Sequence, residues 1–182
     1  MEQFFGRMIR AMRLEPALYE EVEADRGATG QALGVVALSS LAAGIGGLGH
    51  DAPFGLVIGI VSAMLGWIVW AGMIYLVGTK LLPEPTTQTD VGELLRTTGF
   101  AAAPGVLRVA GGIPFLGGAV SLVAAVWMLV AFVIAVRQAL DYSGTGRAVL
   151  VCVIGMVAYV AIIGVSTAVL LALAGGAAAL AS

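Results

Sequence analysis

Residues 97–118, "TTGFAAAPGVLRVAGGIPFLGG", decide how the whole chain is understood. The run is apolar on both sides of a single charge, Arg108. Pro104 lies four residues before that charge, and a Gly-Gly-Ile-Pro turn follows it. Such a stretch is either an imperfect membrane helix with a charge near its end or a segment that buries a functional charge. Its surroundings decide between the two.

Of the 182 residues, 60% are hydrophobic and 11% are charged. A water-facing surface normally calls for about a quarter charged residues. The apolar residues also come in blocks long enough to cross a hydrocarbon core of about 30 Å, which takes roughly 20 helical residues. The composition therefore predicts an all-α fold, a polytopic membrane helix bundle. The net charge of −2 carries little information, because charge in a membrane protein matters by location. One cysteine, Cys152, excludes an internal disulfide, and its apolar neighbours make it a small packing residue. The charged first 26 residues lack the basic head, apolar middle and cleavage site of a secretory signal, so none is expected.

Outward from the quoted stretch, residues 98–136 are uncharged apart from Arg108 and are too long for one span. "GGIPFLGG" breaks them, which predicts two spans over about 96–111 and 115–136; a re-entrant hairpin is the alternative. Three further spans are expected at about 31–49, 54–78 and 148–174, giving five helices within a transmembrane domain over 30–176. A polar turn, His50-Asp51-Ala52-Pro53, joins the first two. The loop "TKLLPEPTTQTDVGE" (79–93) is rich in proline and threonine, and Asp90 is placed to cap a helix that starts after it.

Segment 1–29 precedes the first span. Along "EQFFGRMIRAMR" (2–13), Phe4, Phe5, Met8, Ile9 and Met12 share one helical face, and Arg7, Arg10 and Arg13 share the other. This pattern predicts an amphipathic helix in the membrane interface with its arginines toward anionic head groups. Packing on the protein's own cytoplasmic loops is the alternative. Pro16 starts or breaks a helix, and "ALYEEVEAD" (17–25) is acidic enough to be expected in water.

Five spans put the two termini on opposite sides. Arg7, Arg10, Arg13, Arg26, Lys80, Arg96, Arg137 and Arg147 all fall on one side, and only Arg108 lies toward the other. By the positive-inside rule the N-terminus is cytoplasmic and the C-terminus outside. The abundance of arginine over lysine, with much Ala, Gly and Val, suits a bacterium with a GC-rich genome and hence a bacterial cytoplasmic membrane. In this topology Arg108 lies about one turn from the outer end of the third span. It is expected to snorkel outward or to pair with Asp51 as a structural anchor; a substrate or proton site is the alternative.

Catalytic chemistry is sparse. His50 has no second ligand near it in sequence, and it stands about a hundred residues from Cys152, so no zinc set is expected. No buried carboxylate pair stands out, and "GIGGLG" (44–49) ends a span instead of linking a strand to a helix. Ser39, Ser40, Ser121 and Ser166 are expected to bond to helical carbonyls or neighbouring helices. The protein is therefore expected not to be an enzyme, to hold no cofactor and no metal, and to bind no nucleic acid. The 26 glycines say more. "GQALG" (30–34), "GLVIG" (55–59) and "SAMLG" (62–66) set small residues four apart, which brings helix backbones close, within one subunit or across a dimer.

Taken together, "FFGRMIRAMRLEPALYEEV" (4–22), "LLRTTGFAAAPGVL" (94–107) and "AVRQALDYSGTGRAVLVCVI" (135–154) resemble the Yip1-domain family of small five-span membrane proteins. Gly99, Phe100 and Pro104 match that pattern best, and Arg137 and Asp141 lie in the loop that matches its charged connection between the last two spans. The resemblance implies a helical membrane protein that works with partners. Eukaryotic members are associated with membrane trafficking and prenylated Rab-type GTPases through a long acidic or proline-rich N-terminal arm, and the segment before span one is short here. Two functions follow as expectations. One is a scaffold or accessory subunit within the bilayer, bound to a protein partner or a second copy. The other is a small transporter or channel with the broken third span beside its pathway.

Overall fold

The computed structural model describes residues 1–47 and 53–180. Every regular element among them is helical: α1 (Glu2–Met12), α2 (Pro16–Ala24), α3 (Ala28–Gly47), α4 (Pro53–Leu76), α5 (Val91–Ala101), α6 (Gly117–Ala139) and α7 (Thr145–Leu180). A π turn, Val77–Leu81, extends α4, and a 3-10 segment, Ala103–Gly112, continues α5. Four helices are long and apolar enough to cross a membrane, over Ala28–Gly47, Gly55–Leu81, Gly117–Ala139 and Thr145–Ala168. They match four of the expected spans. The stretch expected as the third span is divided between α5 and the 3-10 segment.

The break has a local cause. Asp90 and Glu93 form a reciprocal capping box that starts α5, with Asp90 accepting from the Glu93 amide and Glu93 from the Asp90 amide, each at 2.8 Å. Pro104, three residues past the end of α5, has no N–H to give to the carbonyl four residues back, so the α-helical ladder cannot continue. The chain tightens instead, and the Gly105 amide bonds to Ala102 O at 2.9 Å.

Glycine lets this segment lie against α3. A Cβ on Gly99 would come 2.7 Å from Ala32 Cβ, one on Gly105 would come 2.0 Å from Ser39 Oγ, and one on Gly46 would come 1.9 Å from Arg108 O. The three contacts run in parallel register, so Gly99 to Arg108 lies beside Ala32 to Gly46 in the same chain direction. Fourteen residues of α3 rise about 21 Å. The nine facing residues cover most of this distance, because the 3-10 rise of roughly 2.0 Å per residue is steeper.

The core lies in two adjoining clusters. Leu18, Tyr19 and Val22 from α2, Val35 and Val36 from α3, Trp67 and Phe100 form one; Ile74, Leu94, Val136, Leu140, Tyr142 and Val151 form the other. The segment 17–25, expected in water, is thus an amphipathic helix: its glutamates share the surface while Leu18, Tyr19 and Val22 are fully buried. Spacing of three and four residues between those apolar positions is the physical reason.

Overpacking at the α3 seam gives a direct test. Gly46→Ala and Gly105→Ala should each destabilise the protein by about 1–3 kcal/mol in thermal unfolding in detergent. Gly59→Ala and Gly72→Ala, where no atom lies within 4 Å of the added Cβ, should be neutral or stabilising. Equal behaviour of the two pairs would contradict the seam.

Candidate functional site

Pro104, Gly99 and Phe100 lie together in the buried bend where α5 meets the 3-10 segment. Phe100 is fully buried, and Gly99 is pressed between Ala32 and Trp67. Next to them the Trp67 indole donates to Thr98 Oγ1 at 3.1 Å, and Thr98 bonds back to Leu94 O. A polar side chain in an apolar bundle is stabilised in this way because its alternative is an unmade bond in hydrocarbon.

Arg108 differs from its expected placement. Its backbone is level with Gly46, at the C-terminal end of α3, but its side chain runs back toward the middle of that helix. Nη2 donates to Ser39 Oγ at 3.2 Å and lies 3.3 Å from Met128 Sδ, and Nε donates to Gly105 O at 3.3 Å. Ser39 is seven residues, or about 10 Å, inward from Gly46 along α3. Outward snorkelling is therefore replaced by an inward reach. Side chains on a helix lean toward its N-terminus, and the N-terminal end of this segment faces the bundle interior. The other proposed anchor, Asp51, lies outside the described residues, as does His50.

Two cavities meet at Arg108. The larger, about 910 Å³, lies among α3, α4, α6 and α7, and the smaller, about 330 Å³, lies between α3 and α4 beside Gly44, Gly55 and Gly59. Among the described residues no group of three or more His, Cys, Asp or Glu could hold a metal ion.

The basic residues gather at the opposite end of the bundle, and several turn inward. Arg7 is 4% exposed and bonds to Glu21 Oε1 at 2.9 Å, Asp25 Oδ2 at 2.8 Å and Gln31 Oε1 at 3.1 Å. Arg10 bridges Glu15 and Glu21. The arginine face expected toward head groups is thus an internal ion-pair network at Arg7 and Arg10, while Arg13 is exposed. Carboxylates on α2 sit within reach because α2 folds back beside α1, and a pair between close charges in partly dry surroundings outweighs one with mobile head groups. The apolar face divides as well: Phe4 packs beside Gly34 and Met8 is buried, whereas Phe5 and Ile9 are 53% and 50% exposed.

Arg96 is a functional-looking charge that sequence spacing did not single out. It is 6% exposed and donates to the carbonyls of Val22 and Glu23. These are orphan carbonyls at the C-terminal end of α2, where a cation also meets the negative end of the helix dipole. Arg137 caps the next connection by donating to Tyr142 O and Ser143 O. Asp141 is exposed at φ 51, and its carbonyl accepts from Thr86 Oγ1 at 3.0 Å. Arg147 reaches Pro83 O at 2.8 Å and Glu84, and Glu84 accepts from the Ser143 amide. The loops after α4 and α6 are thereby fastened to each other.

Charge at this end is poised in two directions. The Arg10 hydrogen bond holds Glu21 below the usual carboxylate range, and Arg7 does the same for Asp25. Burial pushes Glu23 up to about 7, with Asp141 and Glu93 adding repulsion against the pull of Arg96. A carboxyl whose folded pKa is raised stabilises the fold below its unfolded pKa, and that contribution is lost as pH rises through the folded value. Stability due to Glu23 should therefore decline between about pH 4.5 and about 7. Thermal unfolding of Glu23→Gln should gain on the unsubstituted protein across that window; a constant difference would contradict the assignment.

The family model of the Yip1 domain matches residues 14–165. No curated protein and no solved structure matches the chain.

Proposed function

The chain belongs to the Yip1-domain family, and from that premise we propose that it is a non-enzymatic integral membrane protein serving as a scaffold or accessory subunit of a membrane complex. The observation that carries this reading is the ordered platform at the charged end. Arg7 and Arg10 clamp α1 to α2, and Arg96 clamps α2 to α5. Gln138 reaches Glu20 at 2.7 Å, so α6 joins the same platform. Ordering before association lowers the entropic cost of binding, which favours a surface of this kind as a docking face. Phe5 and Ile9 remain exposed on it, beside Arg13, where they suit an interfacial contact with lipid or with a partner helix.

In this reading the domain crosses the bilayer five times, with α5 and the 3-10 segment together acting as the third span. Their register along α3 supports it. The gathering of Arg7, Arg96, Arg137 and Arg147 at one end supports a cytoplasmic N-terminus and an outer C-terminus. A cytoplasmic membrane of bacterial type fits the residue usage. A transporter or channel is the second reading, favoured by the two cavities that meet at Arg108 beside a broken helix.

The two readings part in one experiment. The full-length protein extracted from its own membrane in mild detergent should bring down a partner in fixed stoichiometry. Phe5→Glu with Ile9→Glu should lose that partner, whereas the same purified protein in planar bilayers should pass no current above empty membranes. Conductance from partner-free protein would overturn the scaffold reading in favour of the channel.

A further inference from the structure

Arg108 presents a problem of charge. A guanidinium drawn into a membrane bundle requires a compensating charge or full hydrogen bonding. Among the described residues it has neither: its partners are a hydroxyl, a backbone carbonyl and a thioether sulfur, and no carboxylate is in contact. Guanidinium carries five N–H donors in a planar fork that fits a carboxylate. Donors therefore remain for a further acceptor, and Arg108 lines both cavities.

The larger cavity has the shape of a chain site. Ser39 and Ser40 line it beside Arg108, Ser62 and, at its far end, Thr145 add hydroxyls, and the remainder is mostly aliphatic and aromatic. Along α7 it runs from Thr145 to Tyr159. Fourteen residues of helix rise about 21 Å, which exceeds the roughly 15 Å that one leaflet contributes to a 30 Å hydrocarbon core. Val153 and Val157 line the cavity and are 53% and 66% exposed, so its wall opens sideways toward the surrounding lipid. On the same wall the Trp70 Nε1–H is buried with no hydrogen-bond partner.

We propose that Arg108 and the cavity beside it bind a single-chain anionic amphiphile, a long-chain carboxylate, with its acidic group on the guanidinium and its chain along α4, α6 and α7. Charge complementarity selects an anion, and the apolar length selects a chain. The depth of Arg108 selects a small head: a phospholipid's glycerol and phosphate belong at the interface, whereas a lone carboxylate can be drawn in to the level of Ser39. The smaller cavity, on the other side of Arg108, leaves room for waters that complete the hydrogen bonding of the head. This site is independent of the scaffold reading and uses none of the residues of the charged platform.

Tryptophan fluorescence tests the proposal, because Trp67 and Trp70 line the cavity. Full-length protein in nonionic detergent is titrated with dibrominated octadecanoate, whose bromines quench nearby indoles. Quenching should saturate, should be competed by hexadecanoate and not by hexadecanol, and should need at least tenfold more ligand in Arg108→Gln but less than threefold more in Arg108→Lys. A Val153→Phe, Val157→Phe double variant keeps the charge and fills the chain site, so it should also bind at least tenfold more weakly; this arm stands if Arg108→Gln does not fold. Quenching that rises linearly with micellar mole fraction, equal competition by the alcohol, or unchanged affinity in Arg108→Gln or in the double variant would overturn the site.

Discussion

The structure depends on the approach of α3 to the broken segment that follows Gly99. An apolar bundle in lipid gains little from burying hydrocarbon against hydrocarbon, so helices associate by close packing and by satisfying polar groups. Here both occur along one seam. Gly46, Gly99 and Gly105 remove the Cβ atoms that would hold the backbones apart, and the freed space is taken by Ala32, the Ser39 hydroxyl and the Arg108 carbonyl. The 3-10 geometry imposed at Pro104 stretches the segment to match α3. Within this segment Arg108 leans toward the N-terminal end and reaches the Ser39 hydroxyl. The seam therefore determines both the packing and the position of Arg108.

Charge follows a different rule at the other end. A surface ion pair is worth little, with a median of about 0–1 kcal/mol. Arg7 differs because its side chain is almost fully covered and is shared by Glu21, Asp25 and Gln31. Removing it would strand partly buried carboxylates. Arg96 performs comparable work with carbonyls, closing the C-terminal end of α2. The N-terminal segment is thus part of the folded body, held by charge-assisted bonds, and Trp127 of α6 adds a hydrogen bond to Met12 O at 2.8 Å. Tyr142 serves the same purpose for the π turn after α4, with its hydroxyl 2.8 Å from Leu82 O and 3.1 Å from Gly78 O.

Much of the fold was legible in the sequence because its signals are local. Apolar length located four helices and Asp90 located the start of α5, whereas the break expected at "GGIPFLGG" begins earlier, beside Pro104. The family resemblance rested on Gly99, Phe100 and Pro104, and these lie in the bend itself. What was not legible is pairing at a distance. The periodicity of residues 2–13 separates arginines from aromatics, but it cannot say whether acids on the next helix will meet them. Arg96 looked like one more cytoplasmic charge, since nothing in its neighbours reveals carbonyls 73 and 74 residues away. For Arg108 the direction of the side chain was not legible. Direction depends on which end of a helix faces inward, and on a hydroxyl 69 residues earlier.

The central claim is that α5 and the 3-10 segment traverse the bilayer as one span pressed against α3. Single cysteines at Thr89 and Gly112, in a Cys152→Ala background, test it by labelling intact cells with a membrane-impermeant maleimide. The account expects Thr89→Cys to react only after permeabilisation and Gly112→Cys to react in intact cells. Protection of both until permeabilisation would mean that the segment returns to the side it entered from, and would contradict the span.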